Sequence, residues 1–198
     1  MFVELHLSSV DKPLIRLLRR LGYGLAALTI GGGEDVDEIP IFKKLVITQN
    51  SAWKLRMYRS FDIVSVIPWN RFVLNKFISD DRIDVITINE VNINVIPSKP
   101  QARFMAKEGK ALEIVLNPIL KHGERGLAFL RDVINEYITV DGLTMVLSQG
   151  ISNVADIRNP RDIIALISVL TGINADPLIS DNPYELIVDA VYRRGVCT

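Results

Sequence analysis

The first residues with chemical potential stand in the run E-L-H-L-S, where Glu4, His6 and Ser8 alternate along an expected strand, Phe2–Leu7. Alternate strand positions share a face, so an acid and an imidazole are expected to project together. Metal-dependent barrel hydrolases use such a face, because a metal that activates water needs several His or carboxylate ligands. Here the chain has only two histidines, His6 and His122. A two-metal centre built mainly from histidine is therefore unavailable, and a carboxylate site on Glu4 and Glu113 is the remaining metal option. The competing reading is a hydrogen-bonded cluster of Glu4, His6 and Glu113, paired with one another or with an inward Arg, since buried polar groups must be paired. No G-x-S-x-G turn exists, and Ser148 in L-S-Q-G lacks that context, which removes a serine-nucleophile reading. Gly31–Gly33 precede Glu34, Asp35, Asp37 and Glu38. Those acids repel phosphate and no G-K-[ST] follows, so a surface loop is expected there.

Regular elements must position these groups. Short apolar runs alternate with amphipathic segments. Strands are expected at Phe2–Leu7, Leu25–Ile30, Leu45–Thr48, Ile63–Pro68, Asp84–Ile88, Leu112–Leu116 and Thr144–Ser148. Helices are expected at 11–21, 52–60, 71–78, 99–107, 124–137, 160–170 and 183–194. Asn159 and Asn182 precede prolines and read as helix caps, while Gly172 and Gly195 read as stops. Strand–helix alternation without hairpin signals means a parallel sheet covered by helices. Several strands set small or polar residues against aliphatics: Glu4, His6 and Ser8 against Val3, Leu5 and Leu7; Val85, Thr87 and Asn89 against Ile86 and Ile88; Glu113 against Leu112 and Ile114. An open doubly wound sheet is apolar on both faces. The mixture predicts a TIM-barrel-like (β/α) barrel of about seven parallel strands in one domain over residues 1–198.

The 198 residues are 48% hydrophobic and 23% charged, which excludes general disorder. The single cysteine, Cys197, excludes a disulfide framework and a cysteine-rich zinc site and points to a reducing, cytoplasmic setting. The N-terminus has no basic n-region, and no apolar run is long enough to suggest a membrane span. Twenty-three basic and 23 acidic residues cancel, which at first argues against nucleic acid. Resolved along the chain, the zero is a sum of blocks. Lys12–Arg20 holds four bases and no acid, Lys43–Arg59 five and none, and Lys99–Arg131 seven bases against three acids. Asp132–Asp189 holds nine acids against Arg158 and Arg161. Lys99, Arg103, Lys107 and Lys110 repeat at helical spacing and form an expected phosphate-contacting stripe. A solvated helix face is the plainer reading of the same charges.

The C-terminal third is the most specific part. It reads S-Q-G (Ser148–Gly150), A-D-I-R-N-P-R-D-I-I-A-L (Ala155–Leu166), L-T-G (Leu170–Gly172) and S-D-N-P-Y-E-L-I (Ser180–Ile187). With the F-V-E-L-H-L opening and the A-L-E-I-V-L strand, it resembles the archaeal and eukaryotic RNase P protein component 3 family over essentially the whole chain. The R-N-P-R-D order carries most of the resemblance, and the length resembles an archaeal member. The resemblance implies a barrel related to the polymerase-and-histidinol-phosphatase hydrolases. It implies a subunit of ribonuclease P, the ribonucleoprotein endonuclease that removes the 5′ leader from precursor tRNA. Catalysis is then expected in the RNA with magnesium, with no cofactor or catalytic residue on the protein. The implied partners are RNase P RNA, precursor tRNA, RNase P protein component 2 in a heterotetramer, and other RNase P proteins, with no membrane. The D-x-H-x-H opening of the hydrolases is reduced here to E-L-H-L-S. By the same resemblance Arg158 and Arg161 match the family's R-x-P-R-D. Arg103, Lys107, Lys121 and Arg125 are added on charge, with Lys76 and Arg71 behind them, all as RNA-contacting candidates. Gln149 stands where the family tends to have a small residue. The competing functions are a metal-dependent phosphoesterase on the related barrel and a scaffold acting only through protein contacts.

Overall fold

The computed structural model describes residues 1–9, 11–29, 39–90 and 95–195. The readings made on Gly31–Gly33 with their following acids, and on Cys197, lie outside them. Seven strands form one parallel sheet in sequential order: β1 (Phe2–Leu7), β2 (Tyr23–Leu28), β3 (Ile41–Ile47), β4 (Ile63–Val66), β5 (Val85–Ile88), β6 (Ala111–Val115) and β7 (Met145–Ser148). Sequential parallel order, with helices on described returns such as β1–β2, β4–β5, β5–β6 and β6–β7, curls the sheet into a barrel of the TIM type. The helices are α1 (Lys12–Arg20), α2 (Arg71–Ile78), α3 (Lys99–Lys107), α4 (Leu116–Leu120), α5 (Glu124–Tyr137), α6 (Pro160–Thr171) and α7 (Asp181–Arg193). A 3₁₀ helix, Gln49–Ser60, connects β3 to β4.

The alternation of each strand sorts its side chains. Leu45, Ile47, Val64, Val66, Ile86, Ile88, Leu112, Ile114, Met145 and Leu147 form the layer packed against the helices. On the opposite face Val3, Leu5, Leu25, Ile63, Val85, Ala111 and Val146 fill one end of the barrel, where Leu186, Ile187 and Ala190 of α7 plug it. Local signals place the helix starts. Asp11 accepts from Leu14 N at 2.8 Å ahead of α1, and Asn159 accepts from Arg161 N at 3.0 Å ahead of α6. Gly172 ends α6 at φ 75°, a region that only glycine enters freely.

The ladder does not run on from β7 to β1; the two edges are closed by other groups. Ile151 N donates to His6 O at 2.9 Å, and Ser8 N to Ile151 O at 2.8 Å. Val3 N donates to Ile179 O at 3.0 Å, and Asn182 Nδ2 to Met145 O at 2.7 Å. Each edge group so covered is one fewer offered to another chain.

Several expectations are corrected. Glu4, His6 and Ser8 do not share a face, because β1 carries a bulge: Glu4 pairs with Ala26 and Leu7 with Leu28, so three steps on β1 match two on β2. An extra residue flips the alternation. Asn182 is not a cap; α7 begins at Asp181 after Ser180, and Asn182 serves the β7 edge instead. β2 and β3 start earlier than expected, and α4 was not foreseen, since five residues immediately after a strand show no helical period. Lys110 is not on the α3 stripe. It follows the helix, is buried, and donates to Asp80 O at 2.9 Å and Ile83 O at 2.8 Å.

Candidate functional site

The barrel interior holds the polar cluster, centred on Glu113 of β6. Lys44 of β3 is fully buried and sets its Nζ 2.6 Å from both Glu113 carboxylate oxygens and 3.0 Å from Leu5 O. Thr87 Oγ1 donates to Glu113 Oε2 at 2.7 Å and Ser148 Oγ to Oε1 at 2.8 Å. Burial pushes the Glu113 carboxyl up, but the Lys44 ammonium overcomes it and holds the group well below the usual carboxylate range. His6 Nδ1 stands 3.7 Å from Glu113 Oε1, too far for a hydrogen bond. The sequence reading pairs these groups with one another or with an inward Arg; the partner in the structure is Lys44, from the basic run Lys43–Arg59.

Glu4 is separate from this cluster. Its carboxyl accepts from Gln149 N at 2.9 Å, His6 N at 3.0 Å and Gly150 N at 3.4 Å, across the β1–β7 seam. Burial pushes it up to about 7, against the pull of those amides.

These residues do not fit the metal that the related hydrolase fold implies. Glu113 already accepts from an ammonium and two hydroxyls, and Glu4 faces backbone amides. Among the described residues no three His, Cys, Asp or Glu side chains converge on one point.

The eight RNA candidates, Arg71 at the start of α2 included, are all exposed. Arg158 is held most closely. Gln149 Oε1 accepts from Arg158 N at 2.6 Å and Gln149 Nε2 donates to Arg158 O at 3.1 Å, so the residue flagged as a departure pins the candidate's backbone from both sides. Gln149 Nε2 also donates to the Tyr23 hydroxyl. Arg158 Nε donates to Asn117 Oδ1 at 3.2 Å, leaving the guanidinium end outward. Arg161 does not use Asp156, whose carboxylate accepts from Ser152 N and Asn153. Arg161 instead lines a cleft of about 320 Å³ with Asn159, Phe2, Leu21, Gly22 and Arg20, without an acid in the lining. Sequence reasoning missed Arg20 as its neighbour, because only folding joins α1 to the start of α6. Lys121 follows α4 and Arg125 opens α5. Arg103 and Lys107 lie on α3 and Lys76 in the last turn of α2. The candidates therefore fall in two groups, one around the β1–β7 seam and the α4–α5 corner, the other on the α2–α3 pair.

Fold and surface together define a TIM-barrel-like α/β protein with a set of exposed cations. The chain belongs to the RNase P subunit p30 family, whose model matches residues 1–195. Ribonuclease P protein subunit drpp30 of Dictyostelium discoideum is 26% identical over 144 residues, which cover 71% of this chain and 39% of that protein. The chain thus spans well under half of this curated relative. Among solved structures, a cryo-EM structure of archaeal ribonuclease P with mature tRNA matches with a TM-score of 0.77 at 15% identity, covering 96% of this chain and 92% of that one. A crystal structure of an uncharacterized protein matches with a TM-score of 0.61 at 10% identity, over 94% of this chain and 74% of that one. Both share the fold.

Proposed function

We propose that the chain is a protein subunit of ribonuclease P, supporting endonucleolytic removal of the 5′ leader from precursor tRNA while the RNA subunit performs the chemistry. The observation that carries this reading is the family match over residues 1–195, joined to an interior in which Lys44 occupies Glu113. The exposed cations then neutralise phosphates of RNase P RNA or precursor tRNA; none is an acid or base of the reaction. Magnesium serves the RNA. RNase P protein component 2, in a heterotetramer, is the proposed protein partner, with the other RNase P proteins around it, in a cytoplasmic and archaeal setting. The outward face of α7 supports a protein contact there. Tyr184, Val188 and Tyr192 are exposed at helical spacing, and Asp181, Glu185 and Asp189 on the same helix repel phosphate.

The test is reconstitution. Adding the chain with component 2 to RNase P RNA should raise precursor-tRNA cleavage at low magnesium, and neither protein alone should match the pair. No stimulation in that assay sinks the proposal. The phosphoesterase reading would instead require stoichiometric zinc, manganese or iron after purification from metal-replete medium.

A further inference from the structure

The 3₁₀ helix Gln49–Ser60 is unlike the other connections. Only Leu55 among its twelve residues is buried, whereas α1 buries three residues and α2 four. Packing therefore accounts for little of its sequence. What it offers to solvent is an aromatic and basic surface. Trp53 is 56% exposed and Met57, four residues on, 45% exposed. The Arg56 guanidinium lies 5.2 Å from the Trp53 ring centroid and the Lys54 ammonium 5.8 Å. Arg59 stands over Tyr58 at 5.7 Å. No acid occurs between Lys43 and Arg59.

An exposed indole offers a large planar apolar surface that a partner can cover. A lone aromatic within an apolar patch would suit a protein partner. Here two cations stand over the ring within a run that holds no acid, and that combination fits a polyanion with planar apolar faces. Single-stranded nucleic acid has both: each base stacks on an aromatic ring, and each phosphate meets a cation. A duplex has its bases stacked internally and offers this ring only its backbone.

We infer that Trp53, with Arg56 and Lys54, is a stacking platform for an unpaired base of RNA, separate from the seam and α2–α3 cations. The inference rests on the ribonuclease P reading for which RNA is met, but its test does not depend on cleavage. The full chain is titrated at low ionic strength with a mixed-sequence single-stranded RNA and with a duplex of the same length, following tryptophan fluorescence. The single strand should quench wild type saturably. Trp53→Phe, in which only Trp69 emits, should lose the quenching and keep most of the affinity. Trp53→Ala should weaken single-strand binding about tenfold, the cost of one lost stacked base, and leave duplex binding unchanged. Arg56→Gln should weaken both and lower the salt dependence. Because Trp53 is exposed, unchanged thermal melting should accompany these variants. Wild type that binds no single strand, or Trp53→Ala with wild-type affinity, overturns the platform. So does a Trp53→Ala variant that keeps its RNA affinity and loses only its protein partner. If wild type stimulates cleavage yet Trp53→Ala binds normally, this site alone fails; if wild type never stimulates cleavage, the ribonuclease P reading fails whatever Trp53 does.

Discussion

Lys44 and Glu113 show how much one residue decides. A buried ion pair is costly to assemble, yet removing one member strands the other charge, which costs about 3–5 kcal/mol. Lys44→Met and Glu113→Gln should each lower the urea-unfolding free energy by about that amount, and the double variant should recover a large part. Glu4 gives a different signature. Its folded carboxyl, raised by burial to about 7, keeps a proton that the unfolded chain releases near 4.5. The Glu4 contribution is therefore full below the unfolded value and is lost as pH rises through about 7, by roughly 3 kcal/mol across that window. Glu113 is depressed, so its contribution is lost only as pH falls below the ordinary carboxylate range. The windows do not overlap. Urea denaturation between about pH 5 and about pH 8 should show the decline, and Glu4→Gln should flatten it.

At the scale of elements, corners and seams fix where the candidates stand. α4 and α5 meet so closely that a Cβ added to Gly126, in the first turn of α5, would lie 2.1 Å from Ile119 O. That oxygen belongs to backbone and cannot swing aside. Gly126→Ala should cost about 1–3 kcal/mol in thermal or chemical unfolding and displace Lys121 and Arg125 together. The β1–β7 seam is the other such place. Glu4, Gln149 and Asn117 tie residues 149–158 to the barrel. These ties were only partly legible. The E-L-H-L-S run singles out Glu4 as a metal-ligand or polar-cluster candidate, but the bulge that turns it to the seam depends on how β1 meets β2. Gln149 stands out in the sequence as a departure from the family pattern, and its two bonds to Arg158 need the whole excursion after β7 to exist.

For the whole molecule, a net charge of zero conceals a distribution. Salt dependence reads that distribution directly, because each neutralised phosphate releases counterions. Arg158→Ala, in the seam group, and Arg103→Ala, on α3, should each reduce the slope of log affinity against log salt by about one unit or less. An unchanged slope for one member but not the other would assign the RNA to one group. The acidic C-terminal segment supplies α7, which plugs one end of the barrel with Leu186, Ile187 and Ala190 while turning Tyr184, Val188 and Tyr192 outward.

The sequence alone determined the strand–helix alternation, the barrel class, the basic and acidic blocks and the R-N-P-R-D segment. All are local: apolar periodicity, capping residues and charge runs act within a few residues of themselves. Tertiary structure decided the rest. Lys44 and Lys110 looked like surface bases and are buried, because strand pairing turns one toward Glu113 and the end of α3 brings the other to Asp80 O and Ile83 O. Trp53 lay in a stretch that sequence read as an ordinary helix, and became a candidate only when Leu55 proved to be its helix's single buried anchor. Which side of an element meets the core depends on register between distant strands, and no nearby residue encodes it.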